Sequence, residues 1–130
     1  MTIDAVLAAA RAELTRVKPD EAEHLRRAGA LLVDIRPYHN RLAEGEIPGS
    51  VPIERIVLEW RLDPRGSHRI SEINEGTAVV VLCNEGYASS LAARDLKRLG
   101  LRNATDLVGG FRGWVAAGLP VTEGGSPAIT

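Results

Sequence analysis

The chain has 130 residues, and its 16 basic residues against 17 acidic ones give a formal net charge of -1. This length fits a single domain that buries roughly two-thirds of the surface its unfolded chain exposes. The near-zero charge excludes a bulk electrostatic field that would gather nucleic acid or an anionic membrane. No apolar run is long enough to cross a bilayer, so neither nucleic acid nor membrane is an expected partner.

A single cysteine, Cys83, excludes an intramolecular disulfide. The opening MTIDAVLAAARAEL includes two acids and lacks the basic start and long apolar stretch of a secretory signal. These features predict a protein of the reducing cytoplasm. Aromatic residues make up only 4% of the chain, which favours helices packed on a sheet.

The helical patterns begin near the N-terminus. Residues 3–13 carry apolar side chains at helical spacing and predict a starter helix, and Pro19 opens a second helix over 20–28. Polar residues through Glu46 are expected to form a connection. The tail at 123–130 is rich in Gly, Ser and Pro and is expected to be flexible. Later helical patterns cover 54–62, 89–99 and 111–117.

The strand patterns are short and apolar. The runs 31–35 and 78–82 have strand length and few polar residues, which predicts strands covered on both faces of a parallel sheet. Shorter strands are expected within 47–53, after a turn rich in Pro and Gly, and at 105–108. Because parallel sheets bind ligands beyond the carboxyl ends of their strands, Cys83 stands at a favourable position.

Cys83 also precedes a loop at 84–88 that leads into a helix. Backbone N–H groups of such a loop can converge on an anion, and the helix adds its positive end, so both stabilise thiolate over thiol. Gly86 allows the loop to curve, while Ser89 and Ser90 can cap the helix. Such a sulfur could accept a sulfane sulfur as a persulfide and pass it on. The alternative interpretation is that Cys83 is an unreactive cysteine packed in the core.

Four segments resemble the rhodanese homology domain, in the family's order and with comparable spacing. They cover the chain from about Pro19 to Val121. They are VDIR at 33–36, similar to the Asp-x-Arg signature; GEIPGS at 45–50, similar to the Gly-His-Ile-Pro-Gly-Ala turn; VLCNEGYASS at 81–90, similar to the active-site strand and loop; and 107–121, similar to the closing glycine pair, tryptophan and Gly-x-Pro-Val ending.

The resemblance implies an α/β fold with a central, mostly parallel, five-stranded sheet and helices on both faces. One rhodanese-like domain would span 1–130, with a core at about 19–121, an N-terminal helix at 1–14 and a flexible tail at 123–130. Asp34 and Arg36 map to positions with a structural role at the end of the first strand. Trp114 maps to a core position.

The resemblance further implies sulfur transfer from a donor such as thiosulfate to a thiophilic acceptor, with Cys83 as the nucleophile. The partner would be a small sulfur compound or a persulfide carrier, and no cofactor or metal is implied. The oligomeric state stays open. The expected substrate-binding residues are Asn84, Glu85, Gly86, Tyr87, Ala88 and Ser89.

The loop departs from the family pattern because it contains acidic Glu85 and no cationic side chain. Active members that use thiosulfate commonly have arginine or lysine there, so thiolate stabilisation and donor binding would both be weaker. Glu46 replaces the histidine of the turn, and Ala88 stands where an arginine often ends the loop. The candidates for a cation from elsewhere are Arg36, Arg61, Arg65 and Arg69.

Two other functions remain open. The absent cation favours a binding or regulatory module with the rhodanese fold and little activity. A Cys-dependent phosphatase would need an arginine to close the loop, where Ala88 and Ser89 stand instead.

Gly109-Gly110 lacks the third glycine of a dinucleotide fingerprint and predicts a turn. Surface positions without metal or catalytic roles are expected for His24, His39, His68, Glu44, Glu46, Glu54 and Glu59.

Overall fold

The computed structural model describes residues 1–130, and its centre is a parallel sheet of four strands in the order β2-β1-β3-β4. No helix has the length and apolar character needed to span a membrane. The strands are β1 (Leu31–Asp34), β2 (Val51–Pro52), β3 (Val79–Leu82) and β4 (Ala104–Asp106). The helices are α1 (Ile3–Ala12), α2 (Pro19–Arg27), α3 (Tyr38–Glu44), α4 (Leu58–Leu62), which a 3₁₀ turn at Arg55–Val57 precedes, α5 (Ala88–Arg98) and α6 (Gly110–Ala116).

The central strand β3 supplies side chains to both faces of the sheet, because successive residues of a strand point to opposite sides. Val79, Val81 and Cys83 belong to one apolar core with residues of α4 and α5. Val80 and Leu82 belong to the other core, which contains residues of α2 and α6. The α/β fold with helices on both faces is thus confirmed, and it places Cys83 at the carboxyl edge of the sheet.

The prediction of a fifth strand is wrong, because the sheet has four. Val17, between α1 and α2, makes only an isolated parallel bridge to Leu107, next to β4. Val17 N donates to Asp106 O at 3.1 Å and Val108 N donates to Val17 O at 2.8 Å. Pro19 begins α2 two residues later and has no N–H for a ladder, so the pairing ends there.

Helix α3 lies where the sequence analysis expects a polar connection, so that expectation is wrong. The helix buries a charged residue, Arg41, whose side chain is 1% exposed. Arg41 Nη1 donates to Glu46 Oε2 at 2.8 Å. Glu46 is therefore a buried ion-pair partner and not the surface charge expected, because the cost of burying Arg41 is offset by this carboxylate.

The C-terminal tail, expected to be flexible, makes specific contacts with the domain. Ser126 Oγ donates to Glu46 Oε1 at 2.6 Å, and Ile129 N donates to Pro52 O at 2.9 Å. Gly124 is required for this path, since a Cβ there would lie 1.7 Å from the carbonyl oxygen of Arg41. The tail thus completes the hydrogen bonds of the Arg41–Glu46 pair.

Candidate functional site

Cys83 follows β3, and its Sγ lies inside the turn formed by the next six residues. The backbone N–H groups of Gly86 and Ser89 donate to Sγ at 3.2 and 3.4 Å. Ser89 Oγ lies 3.3 Å from the same sulfur. The residue is 9% exposed, so the sulfur sits at the base of an opening and is not enclosed among aliphatic side chains alone.

Four carbonyl groups of the cysteine loop, residues 83–88, accept hydrogen bonds from residues outside it. Because the N–H and C=O of a trans peptide point in opposite directions, carbonyls held outside leave the N–H groups facing inward. The contacts are Phe111 N to Cys83 O at 2.8 Å, Arg112 N to Asn84 O at 3.1 Å, Arg11 Nη2 to Gly86 O at 2.7 Å and Ser90 N to Tyr87 O at 3.1 Å.

The amides of the loop are consequently available for a ligand. No protein acceptor lies within hydrogen-bond range of the N–H groups of Asn84, Glu85, Tyr87 and Ala88. Backbone N–H groups without a protein partner at a cleft are open to an anion or to water. The structure thus brings all six expected loop residues together around Sγ.

Two glycines allow this loop to pack directly on the turn before α6. Gly86 has φ +90°, and a Cβ there would lie 2.9 Å from Gly109 N. A Cβ on Gly110 would lie 2.6 Å from Cys83 O. Gly109 lies in the predicted turn and Gly110 begins α6, and both glycines are needed because two backbone segments meet without side chains between them.

Asp106, at the carboxyl end of β4, binds the first turn of α5 through its side chain. Its fully buried carboxylate accepts hydrogen bonds from Ser89 Oγ and Ser90 Oγ, each at 2.8 Å. Arg16 Nε donates to Asp106 Oδ1 at 2.9 Å and balances the buried charge. The hydroxyl proton of Ser89 is directed to Asp106, which leaves an oxygen lone pair facing Cys83 Sγ.

A cleft of about 300 Å³ opens in front of the sulfur. Arg55, from the 3₁₀ turn, lines this cleft with a half-buried side chain that donates to Glu59 at 2.8 Å. Tyr87 is 60% exposed at the cleft and does not seal it. The lining residues from the loop are Cys83, Asn84, Glu85, Tyr87 and Ala88, and those from elsewhere are Ile35, Arg36, Pro37, Asn40 and Arg55.

Arg55 is not among the cations that the sequence suggests for this site. Of those candidates, Arg36 is engaged in a buried pair with Asp34 at 2.7 Å. Arg61 donates to Thr130 O at 2.7 Å and Arg69 to Gly66 O at 3.0 Å. Neither these two nor Arg65 lines the cleft. Arg55 is missed because nothing in its sequence neighbourhood marks a turn that faces the cysteine.

The acidic residue of the loop is paired on its outer side. Glu85 Oε1 lies 3.4 Å from Arg112 Nη1, and Arg112 Nε donates to Glu44 Oε1 at 3.2 Å. Glu44 Oε2 also accepts from Asn84 Nδ2 at 3.2 Å. The Arg112 hydrogen bond chiefly lowers the pKa of Glu44, and hydrogen bonds from Asn84 and Asn40 add to it against the effect of burial. Glu44 is expected to be a surface charge, but its side chain connects the cysteine loop to α6.

The remaining expected positions have structural contacts. Arg36 Nη2 donates to Gly45 O at 2.7 Å, so Asp34 and Arg36 connect the end of β1 to the residue that ends α3. Trp114 is fully buried and its Nε1 donates to Pro120 O at 2.8 Å. The three histidines are exposed. Of the other acids expected at the surface, Glu59 pairs with Arg55.

The match to a family model covers residues 18–117 and is to the Rhodanese-like domain. Because the match spans well over half of the chain, this protein belongs to the rhodanese-like family.

Similar proteins include two that are named as sulfurtransferases and one of solved structure and unknown function. A thiosulfate sulfurtransferase GlpE from Stutzerimonas stutzeri is 31% identical over 102 residues, which cover 78% of this chain and 85% of the relative. Adenylyltransferase and sulfurtransferase MOCS3-2 from Zea mays is 36% identical over 85 residues, or 65% of this chain, but the match spans only 17% of that relative. A possible tyrosine phosphatase from Rhodopseudomonas palustris has a similar structure, with a TM-score of 0.84, 31% identity and coverage of 93% and 94% of the two chains.

Proposed function

We propose that the protein is a sulfurtransferase in which Cys83 carries a persulfide. The observation that supports this most directly is the pair of N–H groups, from Gly86 and Ser89, that already donate to Sγ at 3.2 and 3.4 Å. Four further free amides in the loop could hold the outer sulfur and its negative charge. The relatives named as sulfurtransferases support the same reaction class.

The proposed reaction has two displacement steps. The Cys83 thiolate attacks the sulfane sulfur of a donor such as thiosulfate, the donor S–S bond breaks, and sulfite leaves with the bonding electron pair. A thiophilic acceptor then attacks the outer sulfur of the persulfide, and Cys83 leaves as thiolate. Each step forms one bond to sulfur and breaks one, so no cofactor or outside oxidant takes part.

Donor binding would combine the loop with Arg55. The amides of residues 84–89 would bind the anionic part of the donor, and Arg55, which lines the same cleft, would offer the guanidinium N–H groups that Glu59 does not bind. Glu85 lies near Arg112, which moderates its repulsion of an anion. The acceptor would be a small thiol or a persulfide carrier, and the single thiol would function in a reducing compartment such as the cytoplasm.

Intact mass spectrometry tests the proposal. The protein is incubated with thiosulfate, and separately with a low-molecular-weight persulfide, and wild type is compared with Cys83→Ser. We expect wild type alone to gain one sulfur atom that cyanide removes. Failure of wild type to gain sulfur from either donor would contradict the proposal and favour a binding or regulatory module.

A second candidate is a Cys-dependent phosphatase, because a structurally similar protein is a possible tyrosine phosphatase. Phosphate could occupy a nest of the same kind, but Ala88 and Ser89 stand where such a loop would need an arginine. Hydrolysis of p-nitrophenyl phosphate that is lost in Cys83→Ser, without sulfur loading, would favour this candidate. Sulfur loading without hydrolysis would exclude it.

A further inference from the structure

The carbonyl of Gly86 has an unusual pair of partners. Arg11 Nη2 donates to it at 2.7 Å and Arg16 Nη2 donates to it at 3.0 Å. Both arginines precede residue 18, where the match to the family model begins. Two cationic donors from an N-terminal segment therefore converge on one peptide of the cysteine loop.

This contact fixes the direction of the next amide. In a trans peptide the carbonyl of Gly86 and the N–H of Tyr87 point in opposite directions. With the carbonyl held by the two arginines, the N–H of Tyr87 faces away from them and has no acceptor in the protein. Tyr87 lines the cleft in front of Cys83.

The two arginines differ in their other contacts. Arg16 also balances buried Asp106, with a 2.9 Å hydrogen bond, so its charge is largely compensated. Arg11 has no carboxylate partner; its Nε donates to Ser90 Oγ at 3.1 Å and its guanidinium lies 5.7 Å from the centre of the Tyr87 ring. Its positive charge is therefore the uncompensated one behind the loop.

We infer that Arg11 is a positioning residue of the anion site: from α1 it orients the peptide between Gly86 and Tyr87 and supplies, through that peptide, positive charge that the loop side chains lack. Arg16 assists by binding the same carbonyl. The inference deepens the proposed sulfurtransferase function and rests on it. By this inference α1 contributes to the anion site, although α1 lies outside the residues that match the family model.

Selective alkylation of Cys83 tests this role. Iodoacetate is anionic and iodoacetamide is neutral, and both react with the thiolate, so the ratio of their rates at one pH reports anion affinity independently of the thiolate fraction. Cys83 is the only thiol, so the rates refer to it alone. We expect Arg11→Met to lower the iodoacetate-to-iodoacetamide ratio about three- to tenfold.

Two further variants control the measurement. Arg27→Met removes the same charge from a side chain that is 74% exposed on α2, and it should leave the ratio unchanged. Arg11→Lys keeps a cationic donor and should restore the ratio to within about twofold of wild type. If Arg11→Met does not fold, Arg11→Gln replaces it under the same criterion.

The outcomes separate the inference from the proposed function. An unchanged ratio in Arg11→Met, or an equal loss in Arg11→Met and Arg27→Met, would overturn the role of Arg11. Sulfur loading of wild type is measured by mass spectrometry in parallel. Loading with an unchanged ratio contradicts only the inference, whereas absence of loading in wild type contradicts the proposed function.

Discussion

Replacing Gly86 with alanine tests how tightly the cysteine loop packs against its support. At φ +90° a side chain is strained, at a cost of about 1–2 kcal/mol. A Cβ would also lie 2.9 Å from Gly109 N and 3.3 Å from Leu107 O. These are backbone atoms that no rotamer change can move, so overpacking adds about 1–3 kcal/mol. The total loss is about 2–5 kcal/mol out of a typical stability of about 5–15 kcal/mol.

Gly29→Ala is the matched control, because Gly29 has φ +103° and no atom within 4 Å of the added Cβ. Gly29→Ala also places alanine at positive φ and changes the entropy of the unfolded chain in the same way, but its Cβ contacts no other atom. Urea denaturation of both variants should therefore show Gly86→Ala less stable by about 1–3 kcal/mol. Equal losses of stability in the two variants would refute the close packing of loop and turn.

Three other substitutions probe the surrounding contacts. Burial raises the pKa of Glu46, but its hydrogen bonds outweigh this effect and lower the pKa overall. The unfolded chain therefore binds more protons near pH 4.5, stability falls as pH drops through this range, and Glu46→Gln should flatten that part of the curve in urea denaturation. Gly124→Ala should displace the tail from the carbonyl of Arg41 and speed hydrogen exchange at the C-terminus; unchanged exchange would contradict the contact. Arg112→Gln removes the chief cause of the lowered pKa of Glu44, so carboxyl NMR titration should show that pKa rising, and no rise would contradict the bridge.

The carboxyl edge of the sheet is the part of the site that sequence reasoning locates well. The runs at 31–35 and 78–82 are both predicted as strands, and because the ends of parallel strands meet at one edge, Asp34 and Cys83 are expected there. The same rule could have identified Asp106, which ends β4 under the cysteine loop. It is missed because the last strand is predicted to extend to residue 108, which places Asp106 inside the strand.

Contacts between distant segments are what the sequence does not reveal. Arg11 reaches Gly86 across 75 positions of sequence, and its helical pattern marks only the apolar face of α1. Helix α3 escapes prediction for a related reason, since it buries charged Arg41 where an apolar residue would be expected. Its partner Glu46 is likewise assigned to the surface, because a buried ion pair has no local signature.

The geometry of the loop also could not be read from residue types. The side chains of Glu85 and Ala88 suggest a weak anion site, since neither is cationic. The structure directs carbonyls outward and leaves amides free, and this property depends on backbone contacts with Phe111 and Arg112. Charge from loop side chains is therefore only one possible source of anion binding, and the proposed site depends on backbone amides as well.

Amide NMR of the loop before and after sulfur loading would examine the anion nest itself. ¹H–¹⁵N spectra of the thiol protein and the persulfide protein are compared at the six positions from Asn84 to Ser89. Hydrogen bonds to an anionic outer sulfur should move several of these amide protons downfield, with Tyr87 among them. A persulfide that forms while these resonances stay in place would show that the loop amides do not hold the transferred sulfur.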